Sequence, residues 1–582
     1  MQLVMHKRDS VVVLPTGGGK SLCYQVPAVC CEGMAIIVSP LIALMKDQVD
    51  ALTACGVPAA FVNSSLSVAE RRQVAQRVSS GELKMLFAAP ERLVQESTIR
   101  FLQQTRISFI AIDEAHCISH WGHDFRPEYR QLGRLKEWFP SAALHCYTAT
   151  ATEPVRRDIA SQLKLANPLV LVGSFDRPNL VYRVRRRTSR LKQVCEVLEK
   201  HPGESGIIYC IRRRDVDDLC VGLRELGYKA SPYHAGMTAG DRKQNQDDFI
   251  AEKIDIIVAT VAFGMGIDKS NVRYVIHTGM PKTLEHYQQE SGRAGRDGLE
   301  AECILFYSGS DFAIWKSLMK DLDPASARIN LDKLSRIFDY CTGITCRHKE
   351  LLDYFGQRLE AENCGACDVC LDELTLMEGS LIVAQKILSA VVRLRERFGG
   401  GYTAQVLTGS RDKRVLANSH DQLSTYGILS EFSLQTIRGW IEQLIAQGYI
   451  LKGDEYGVLT VPESGWRVMR GDETPRLLEP PKKKARARVS RAIRDSWEGV
   501  DQGLFEELRE LRKQIAGRKH LPAYIVFGDA ALRDMARRRP STSNGFLLVT
   551  GVGEKKCRQY GEEFLELIKD YSVSHGLELD RE

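Results

Sequence analysis

The feature that most constrains the fold is a repeated alternation of short β-branched runs with longer amphipathic stretches, between residues 11 and about 310. Such runs are typical of buried parallel strands, and the stretches between them are typical of the crossover helices that parallel strands require. Because the alternation occurs twice, it predicts two α/β lobes. The runs lie in VVVLP at 11, AIIVSP at 35, LFAAP at 86, FIAIDE at 109, IIYC at 207, IIVAT at 256 and YVIH at 274.

The rest of the chain is predicted to form smaller units. Turn residues and little periodicity in GSFDRPNLVYRVRRRTSR, residues 173–190, indicate an interlobe linker there. Beyond 320 the pattern is mostly helical, with a cysteine-rich stretch and then two helices that lead into a strand–turn–strand, the layout of a winged helix. The predicted domains are lobe 1 at 1–173, lobe 2 at 174–320, a cysteine-containing module at 321–377, a winged helix at 378–475, a basic linker at 476–500 and a small helical domain at 501–577.

Composition excludes several classes of protein. A chain of 582 residues is too long for one hydrophobic core. No stretch reaches the roughly 18 apolar residues that span a bilayer, and the first ten residues, MQLVMHKRDS, carry charges before any apolar run, so a cytoplasmic protein is expected. The net charge of +6 is small, but KKKARARVSRAIR at 482–494 contains no acid. We interpret that run as a solvated tether with weak attraction for polyanions.

A phosphate-binding loop is predicted directly after the first run, in TGGGKS. Glycines allow the backbone to point its N–H groups inward, Lys20 can reach terminal phosphates, and the Ser21 hydroxyl can bind Mg²⁺. A glycine-rich turn that merely ends a strand is the alternative, and the agreement of strand, loop and lysine argues against it. The predicted residues that bind ATP or GTP are Thr16, Gly17, Gly18, Gly19, Lys20 and Ser21.

Two adjacent carboxylates, Asp113 and Glu114, follow the predicted strand ISFIAI at 107–112. Open α/β sheets bind ligands at the carboxyl ends of their strands, beside the phosphate loop. In that position Asp113 would hold Mg²⁺ through water, and Glu114 would polarise the water that attacks the γ-phosphate. A zinc site is the alternative for three nearby residues, His116, Cys117 and His120. It is not favoured, because the order of a zinc protease motif is missing and a second cation beside Mg-ATP would be redundant.

The run DEAHCISHWGHDFRPEYR, residues 113–130, resembles the RecQ family of superfamily 2 DNA helicases, which have a DEAH-type box. Five further blocks occur along the chain in the order that they have in the family. They are SPLIALMKDQ at 39, APERL at 89, YTATAT at 147, ATVAFGMGIDKSNVR at 259 and YQQESGRAGRDG at 287. The resemblance implies an α/β fold of two RecA-like parallel-sheet lobes, followed by a helical zinc module, a winged helix and an all-helical HRDC domain.

The same resemblance implies roles for two further groups of residues. An aromatic-rich loop would sense single-stranded DNA and couple it to hydrolysis, through Trp121, His123, Phe125 and Arg126. An aromatic face can stack on any base, whereas a purely structural role for Trp121 and Phe125 is the alternative. Arg293 and Arg296 would act as arginine fingers in the ATP cleft, on one face if their segment is helical, with ordinary surface salt bridges as the alternative.

Four cysteines form the pattern C-x17-C-x2-C-x2-C, with the first ligand expected from an upstream helix. Four thiolates favour a tetrahedral structural Zn²⁺, which leaves no open position for catalysis. The predicted ligands are Cys346, Cys364, Cys367 and Cys370. In the tail, LLVTGVGEKK resembles part of an HRDC domain. Gly551, Gly553, Lys555, Lys556 and Tyr524 are its candidate contacts to single strands, with a structural role for Tyr524 as the alternative.

The resemblance implies an ATP-dependent helicase that moves 3′ to 5′ on single-stranded DNA and unwinds duplex and branched DNA in recombination, repair and the SOS response, at the bacterial nucleoid. A monomer that works with a single-strand-binding protein is expected. Family members read adenine with a segment ahead of the phosphate loop, but only ten residues precede Val11 here, so no residue is assigned that role. Either the true start lies upstream of Met1, or the segment has been lost and a weaker preference for ATP is expected. The alternatives are a superfamily 2 RNA helicase and a DNA-binding module with impaired hydrolysis.

Overall fold

The structure is a computed structural model, and it describes the whole chain except residues 65, 123, 265–268, 320–321, 454–456, 480–496, 520 and 582. The described residues divide into two compact units. The first contains residues 1–334, 351–362 and 491–582, and the second contains residues 335–350 and 363–490.

Lobe 1 is built on a seven-stranded sheet whose neighbouring strands are all parallel, in the order β3-β4-β2-β5-β6-β1-β7. Its strands are β1 Ser10–Val13, β2 Met34–Val38, β3 Ala59–Val62, β4 Met85–Ala88, β5 Ile107–Ile112, β6 Ala143–Thr148 and β7 Leu169–Val172. Its helices are α1 Gln2–Met5, α2 Lys20–Cys30, α3 Ile42–Ala54, α4 Val68–Ser79, α5 Pro90–Leu93, α6 Glu96–Leu102, α7 Pro127–Arg130, α8 Leu135–Trp138 and α9 Glu153–Gln162. Short 3₁₀ helices lie at Ala115–Ile118 and Gln131–Arg134.

Lobe 2 has a second parallel sheet, six-stranded, in the order β10-β11-β9-β12-β13-β8. Its strands are β8 Leu180–Arg186, β9 Ser205–Tyr209, β10 Ala230–Tyr233, β11 Ile256–Ala259, β12 Val272–His277 and β13 Ala301–Tyr307. Its helices are α10 Arg190–Leu198, α11 Arg213–Glu225, α12 Ala239–Ile250, α13 Leu284–Ser291 and α14 Gly309–Leu318. The expectation of two parallel-sheet lobes is therefore confirmed.

The interlobe linker is shorter than the sequence indicated. Residues 180–186, which we expected within the linker, form β8 and pair in parallel with β13. Their strand pattern is concealed by Arg183, which is buried and donates to Glu302 at 2.5 Å. Because a buried arginine needs a buried carboxylate that lies far away in the sequence, the run does not look like a core strand until the fold is known.

The second unit contains the cysteine-rich stretch and the winged helix. Its helices include α17 Ser380–Arg393, α18 Gly400–Thr408, α19 Lys413–Ala417, α20 Leu434–Ala446 and α21 Glu463–Arg470, with a 3₁₀ turn at His420–Gln422. Strands β14 Leu451–Lys452 and β15 Leu459–Thr460 are antiparallel, which confirms the predicted strand pair. Trp440, almost fully buried, packs in the core of this unit. Helices α15 Pro324–Thr342 and α16 Arg347–Tyr354 have residues in both units.

The C-terminal helices form a small domain with a core of its own. They are α22 Gln502–Lys519, α23 Ala523–Val526, α24 Asp529–Arg538, α25 Ser543–Leu547 and α26 Glu554–His575. Among the residues that the structure describes, no helix combines the length and apolar composition needed to cross a membrane.

This tail domain docks on lobe 2 through buried ion pairs, at the edge where the strands of that sheet begin. Arg533 donates to both oxygens of Glu300 at 2.8 and 2.9 Å. Arg512, fully buried, lies 3.5 Å from Glu252 and also pairs with Asp529 at 2.7 Å within the tail. The tail and lobe 2 thus share a set of desolvated charges.

Candidate active site and metal centre

The predicted phosphate loop connects β1 to α2 at the carboxyl edge of the lobe 1 sheet. Gly17 and Gly19 have φ values of +80° and +75°, which L side chains rarely adopt. A Cβ on Gly18 would lie 2.9 Å from the carbonyl oxygen of Pro15. The backbone here therefore needs its glycines, and it leaves the N-terminus of the eleven-residue α2 open for an anion.

The acid pair lies where β5 ends, as predicted. Asp113 is buried, and its Oδ1 accepts the backbone N–H of Glu114 at 3.0 Å. Glu114 has a φ of +47°, an unusual conformation for a non-glycine residue. Its Oε2 lies 3.3 Å from His116 Nδ1, which also lies 2.9 Å from the Thr148 hydroxyl. Strained backbone and a fixed imidazole thus orient the Glu114 carboxylate.

Burial and neighbouring charges shift the pKa values of Asp113, Glu114 and Lys20. Burial and the Glu114 carboxylate raise the pKa of Asp113, while Lys20 opposes the shift. Burial opposes the shift at Glu114, but His116 and Lys20 lower the pKa of that carboxyl. Burial also lowers the pKa of Lys20. A divalent cation beside Asp113 would favour its ionised form, so a carboxylate and the Ser21 hydroxyl are a donor set that fits Mg²⁺.

Arg293 and Arg296 come from lobe 2 and face this cluster. They lie in the turn at 292–298, after the end of α13, so they do not share a helical face. A Cβ on Gly17 would lie 3.3 Å from Arg296 Cγ, which places the arginine stem against the phosphate loop. Arg293 is 4 % exposed, and its Nε has no hydrogen-bond partner within the described ranges. A buried guanidinium N–H of this kind is suited to an incoming phosphate oxygen.

Arg177, which the sequence analysis missed, ties the two sides together. Its Nη1 donates to the carbonyl oxygen of Thr16 at 3.0 Å, and its Nη2 donates to Ala294 and Gly295 carbonyls at 3.0 and 2.8 Å. Asn179 Nδ2 adds a bond to the Gly295 carbonyl at 2.9 Å. Arg177 and Asn179 both lie in the stretch that we predicted to be a linker. The only sequence feature that could have indicated their role is that they are polar residues on either side of a proline.

The aromatic-rich loop follows the acid pair. Trp121 is 50 % exposed, whereas Phe125 is half-buried with its ring centroid 3.9 Å from that of His120. A Cβ on Gly122 would lie 2.3 Å from the His116 carbonyl oxygen, so the turn requires glycine. Of the loop's described large aromatics, Trp121 is therefore the one free to stack on a base.

Arg126 and His123 are the other two predicted residues of the loop. Arg126 already has a carboxylate partner, because it donates to Asp124 at 3.0 Å, and it donates to the Pro40 carbonyl at 3.1 Å. His123 lies outside the described residues.

The four predicted metal ligands converge in the second unit. The sulfur atoms of Cys346, Cys364, Cys367 and Cys370 all lie within 4.8 Å of one another. Tetrahedral Zn²⁺ with Zn–S bonds of about 2.3 Å needs sulfur atoms about 3.8 Å apart, so the donor set fits. Cys346 lies in the loop just before α16 rather than on a helix.

The groups around the four cysteines also favour tetrahedral coordination of a metal ion by their sulfur atoms. Backbone N–H groups of Ala366 and Cys370 donate to the sulfurs of Cys364 and Cys367, both at 3.4 Å. The adjacent Arg347 is buried and donates to Asp368 at 2.9 Å. Such backbone bonds and a fixed neighbouring ion pair orient the ligands before a metal binds.

The tail's predicted contact residues differ in their exposure. Gly551 has a φ of +81° and, with Gly553 and Lys555, is exposed. Lys556 is half-buried, with its Nζ 5.5 Å from the ring centroid of Phe527, and Tyr524 is likewise half-buried. The hairpin and Lys555 are therefore more accessible to a strand than Lys556 or Tyr524.

Five family models match successive parts of the chain. They are a DEAD/DEAH box helicase at 1–158, a helicase conserved C-terminal domain at 189–298, a RecQ zinc-binding module at 309–371, an RQC domain at 381–486 and an HRDC domain at 501–568.

Curated relatives match almost the entire length. The chain is 42 % identical over 567 residues to "ATP-dependent DNA helicase RecQ" of Pasteurella multocida, covering 97 % of this chain and 89 % of that protein. It is 41 % identical to the Haemophilus influenzae protein of the same name, covering 98 % and 92 %. It is 39 % identical to that of Bacillus subtilis, covering 97 % and 94 %.

Proposed function

Because the chain belongs to the RecQ family of ATP-dependent DNA helicases, we propose that it hydrolyses ATP and uses the energy to move 3′ to 5′ along single-stranded DNA and to open duplex and branched DNA. The observation that carries this proposal is the meeting of Lys20 and Glu114 from lobe 1 with Arg293 and Arg296 from lobe 2 around one phosphate loop.

Lobe 1 supplies the binding and the proton transfer. Backbone N–H groups at the N-terminus of α2 and the Lys20 ammonium hold the phosphates of ATP. Ser21 and Asp113 are the residues that would hold Mg²⁺, which when bound neutralises charge on the phosphate oxygens. Glu114, whose pKa is lowered, is ionised at neutral pH and accepts a proton from the attacking water.

Lobe 2 completes the site only when the lobes close. Arg293 and Arg296 place positive charge where negative charge develops on the transferred phosphoryl group. Because these arginines and Glu114 lie on different lobes, hydrolysis requires closure, and release of products permits reopening. Repeated closure and opening against a bound strand produces movement.

The contacts with DNA are inferred from the exposed aromatic and basic groups. The exposed Trp121 stacks on a base of the tracked strand without reading its identity. The winged helix contacts duplex phosphates, and the tail hairpin with Lys555 contacts single strands. We assign the domains as 1–173, 174–320, 321–377, 378–475, 476–500 and 501–577, and the four cysteines as ligands of a structural Zn²⁺. A monomeric state, a single-strand-binding protein as partner and a role in recombination and repair at the nucleoid complete the proposal.

The test measures ATP turnover with and without single-stranded DNA, together with unwinding of a forked DNA. Glu114→Gln should reduce stimulated turnover by at least about a hundredfold, because it removes the proton acceptor, while DNA affinity stays within about threefold. Trp121→Ala should keep basal turnover and lose the DNA response. Absence of stimulated turnover in the unmodified chain would favour a binding module, and unwinding of an RNA duplex without activity on the DNA fork would favour an RNA helicase.

A further inference from the structure

Lys333 of α15 connects the aromatic-rich loop of lobe 1 to lobe 2. Its Nζ donates to the backbone carbonyl oxygen of Trp121 at 2.6 Å and to Glu285 Oε1 at 2.8 Å. The Lys333 side chain is largely buried, and that of Glu285 is only 3 % exposed. One ammonium group therefore bonds at once to the strand-sensing loop and to a buried carboxylate of the other lobe.

The Glu285 carboxylate depends on this lysine. Burial opposes ionisation, but Lys333 lowers the pKa of Glu285, helped by hydrogen bonds from Thr283 and from its own backbone N–H. Its second oxygen, Oε2, is buried with no hydrogen-bond partner in the part of the chain that the structure describes. Lys282 and Asp124 contribute further charge near the junction. Loss of the lysine would leave a desolvated carboxylate with reduced compensation, so the carboxylate would take up a proton or move, and in either case the charged bond that fixes the N-terminus of α13 would be lost.

Helix α13 links this junction to the arginine turn. Glu285 is the second residue of α13, the helix ends at Ser291, and Arg293 follows two residues later. Eight residues at about 1.5 Å each make a rod of about 12 Å. Most of its residues are buried, and Glu290 fixes it to His277 at 2.8 Å. Because a packed helix moves as a rigid body, a displacement of Glu285 also displaces the turn that carries Arg293.

We propose that Lys333 is a positioning residue that communicates occupancy of the Trp121 loop to the arginine turn through Glu285 and α13. When a base stacks on Trp121, the loop backbone settles and its carbonyl holds the Lys333 ammonium in place. Lys333 then fixes Glu285, and α13 holds the arginines in the orientation that catalyses hydrolysis. The proposal rests on the proposed function, since it explains how DNA stimulates the hydrolysis of ATP.

The test compares Lys333→Met, Lys333→Arg and Glu285→Gln in the full-length protein. The readouts are kcat with and without saturating single-stranded DNA, KM for ATP, DNA affinity by fluorescence anisotropy, and Tm. We expect Lys333→Met and Glu285→Gln each to reduce the stimulation ratio by about tenfold, within the usual range of coupling between sites, while KM and DNA affinity change less than about threefold. Lys333→Arg keeps the charge and the donors and should restore most of the stimulation. The double variant Lys333→Met/Glu285→Gln should be no worse than either single variant.

Lys136→Met is the matched control, because Lys136 forms a similar ion pair with Asp9 at 2.6 Å in lobe 1, away from the loop. It should lower Tm and leave the stimulation ratio unchanged. Normal stimulation in both Lys333→Met and Glu285→Gln would overturn the inference, as would equal loss of stimulation in Lys136→Met. If the unmodified protein showed no DNA-stimulated turnover, the proposed function itself would fail, which is a distinguishable result.

Discussion

Replacing Arg177 by alanine should slow hydrolysis by weakening lobe closure. The residue holds the turn with the candidate arginine fingers through bonds of 3.0 and 2.8 Å, and one bond of 3.0 Å reaches the phosphate loop at Thr16. Only the bond to Thr16 must break when the lobes open, if Arg177 stays with the turn. A hydrogen bond from a charged donor contributes about 1.5 to 3 kcal/mol. Arg177 is half-buried, so the lower part of that range applies, about 1.5 to 2 kcal/mol, or about thirteenfold to thirtyfold in rate.

The assay is steady-state ATP turnover at saturating single-stranded DNA, with kcat and KM determined separately. Arg177→Ala should reduce kcat by that factor and affect KM less, because the lost bond forms on closure rather than on binding. Arg177→Lys should recover only part of the rate, since an ammonium cannot bond to several carbonyls in one plane. Arg100→Ala is the control, because Arg100 forms an exposed pair with Glu96 at 2.5 Å. An unchanged kcat in Arg177→Ala would refute the reasoning.

Three further predictions follow from buried charges and thiols. Cys367→Ser should yield protein without stoichiometric zinc and with a reduced Tm, whereas Cys30→Ser should retain zinc by elemental analysis; a stable, active Cys367→Ser protein would contradict the structural role. The pKa of His201 is raised to about 9, because the Glu204 and Glu302 carboxylates outweigh the opposing effect of burial. The protonated imidazole therefore stabilises the fold fully below about pH 6.5. This contribution, at most about 3 kcal/mol, is lost as pH rises through 9. The Tm deficit of His201→Gln should therefore shrink between pH 6 and 9.5, and a deficit independent of pH would be inconsistent with this account. Arg533→Glu should release the tail from lobe 2 at a cost of about 3 to 5 kcal/mol, measured by faster amide exchange in residues 501–577, and the exchange Arg533→Glu/Glu300→Arg should partly restore docking.

Local chemistry made part of the site predictable. The phosphate loop, the acid pair and the cysteine cluster each occupy a short stretch, so residue type and spacing specify them almost alone. The fold brought these residues to the positions expected from strand ends, with Asp113 directly after β5 and Lys20 at the start of α2.

The missed residues act through partners far away in the sequence. Arg177 binds carbonyl oxygens more than a hundred positions away, and backbone acceptors leave no mark on the sequence. Lys333 and Glu285 look like ordinary surface charges until folding buries them together. The buried run of β8 was obscured by Arg183, whose burial depends on Glu302 of another strand. Prediction from the sequence failed where a polar group is satisfied only by tertiary contacts.

The docked tail has a consequence for the effect of ionic strength. Exposed lysine–phosphate contacts weaken steeply as salt is added, because counterions compete for the same charges. The pair between Arg533 and Glu300 is excluded from solvent, and mobile ions screen it far less. A buffer concentrated enough to wash the protein from a nucleic-acid column should therefore leave the last domain attached to its lobe, and the eluted molecule should sediment as compactly as the protein in dilute buffer.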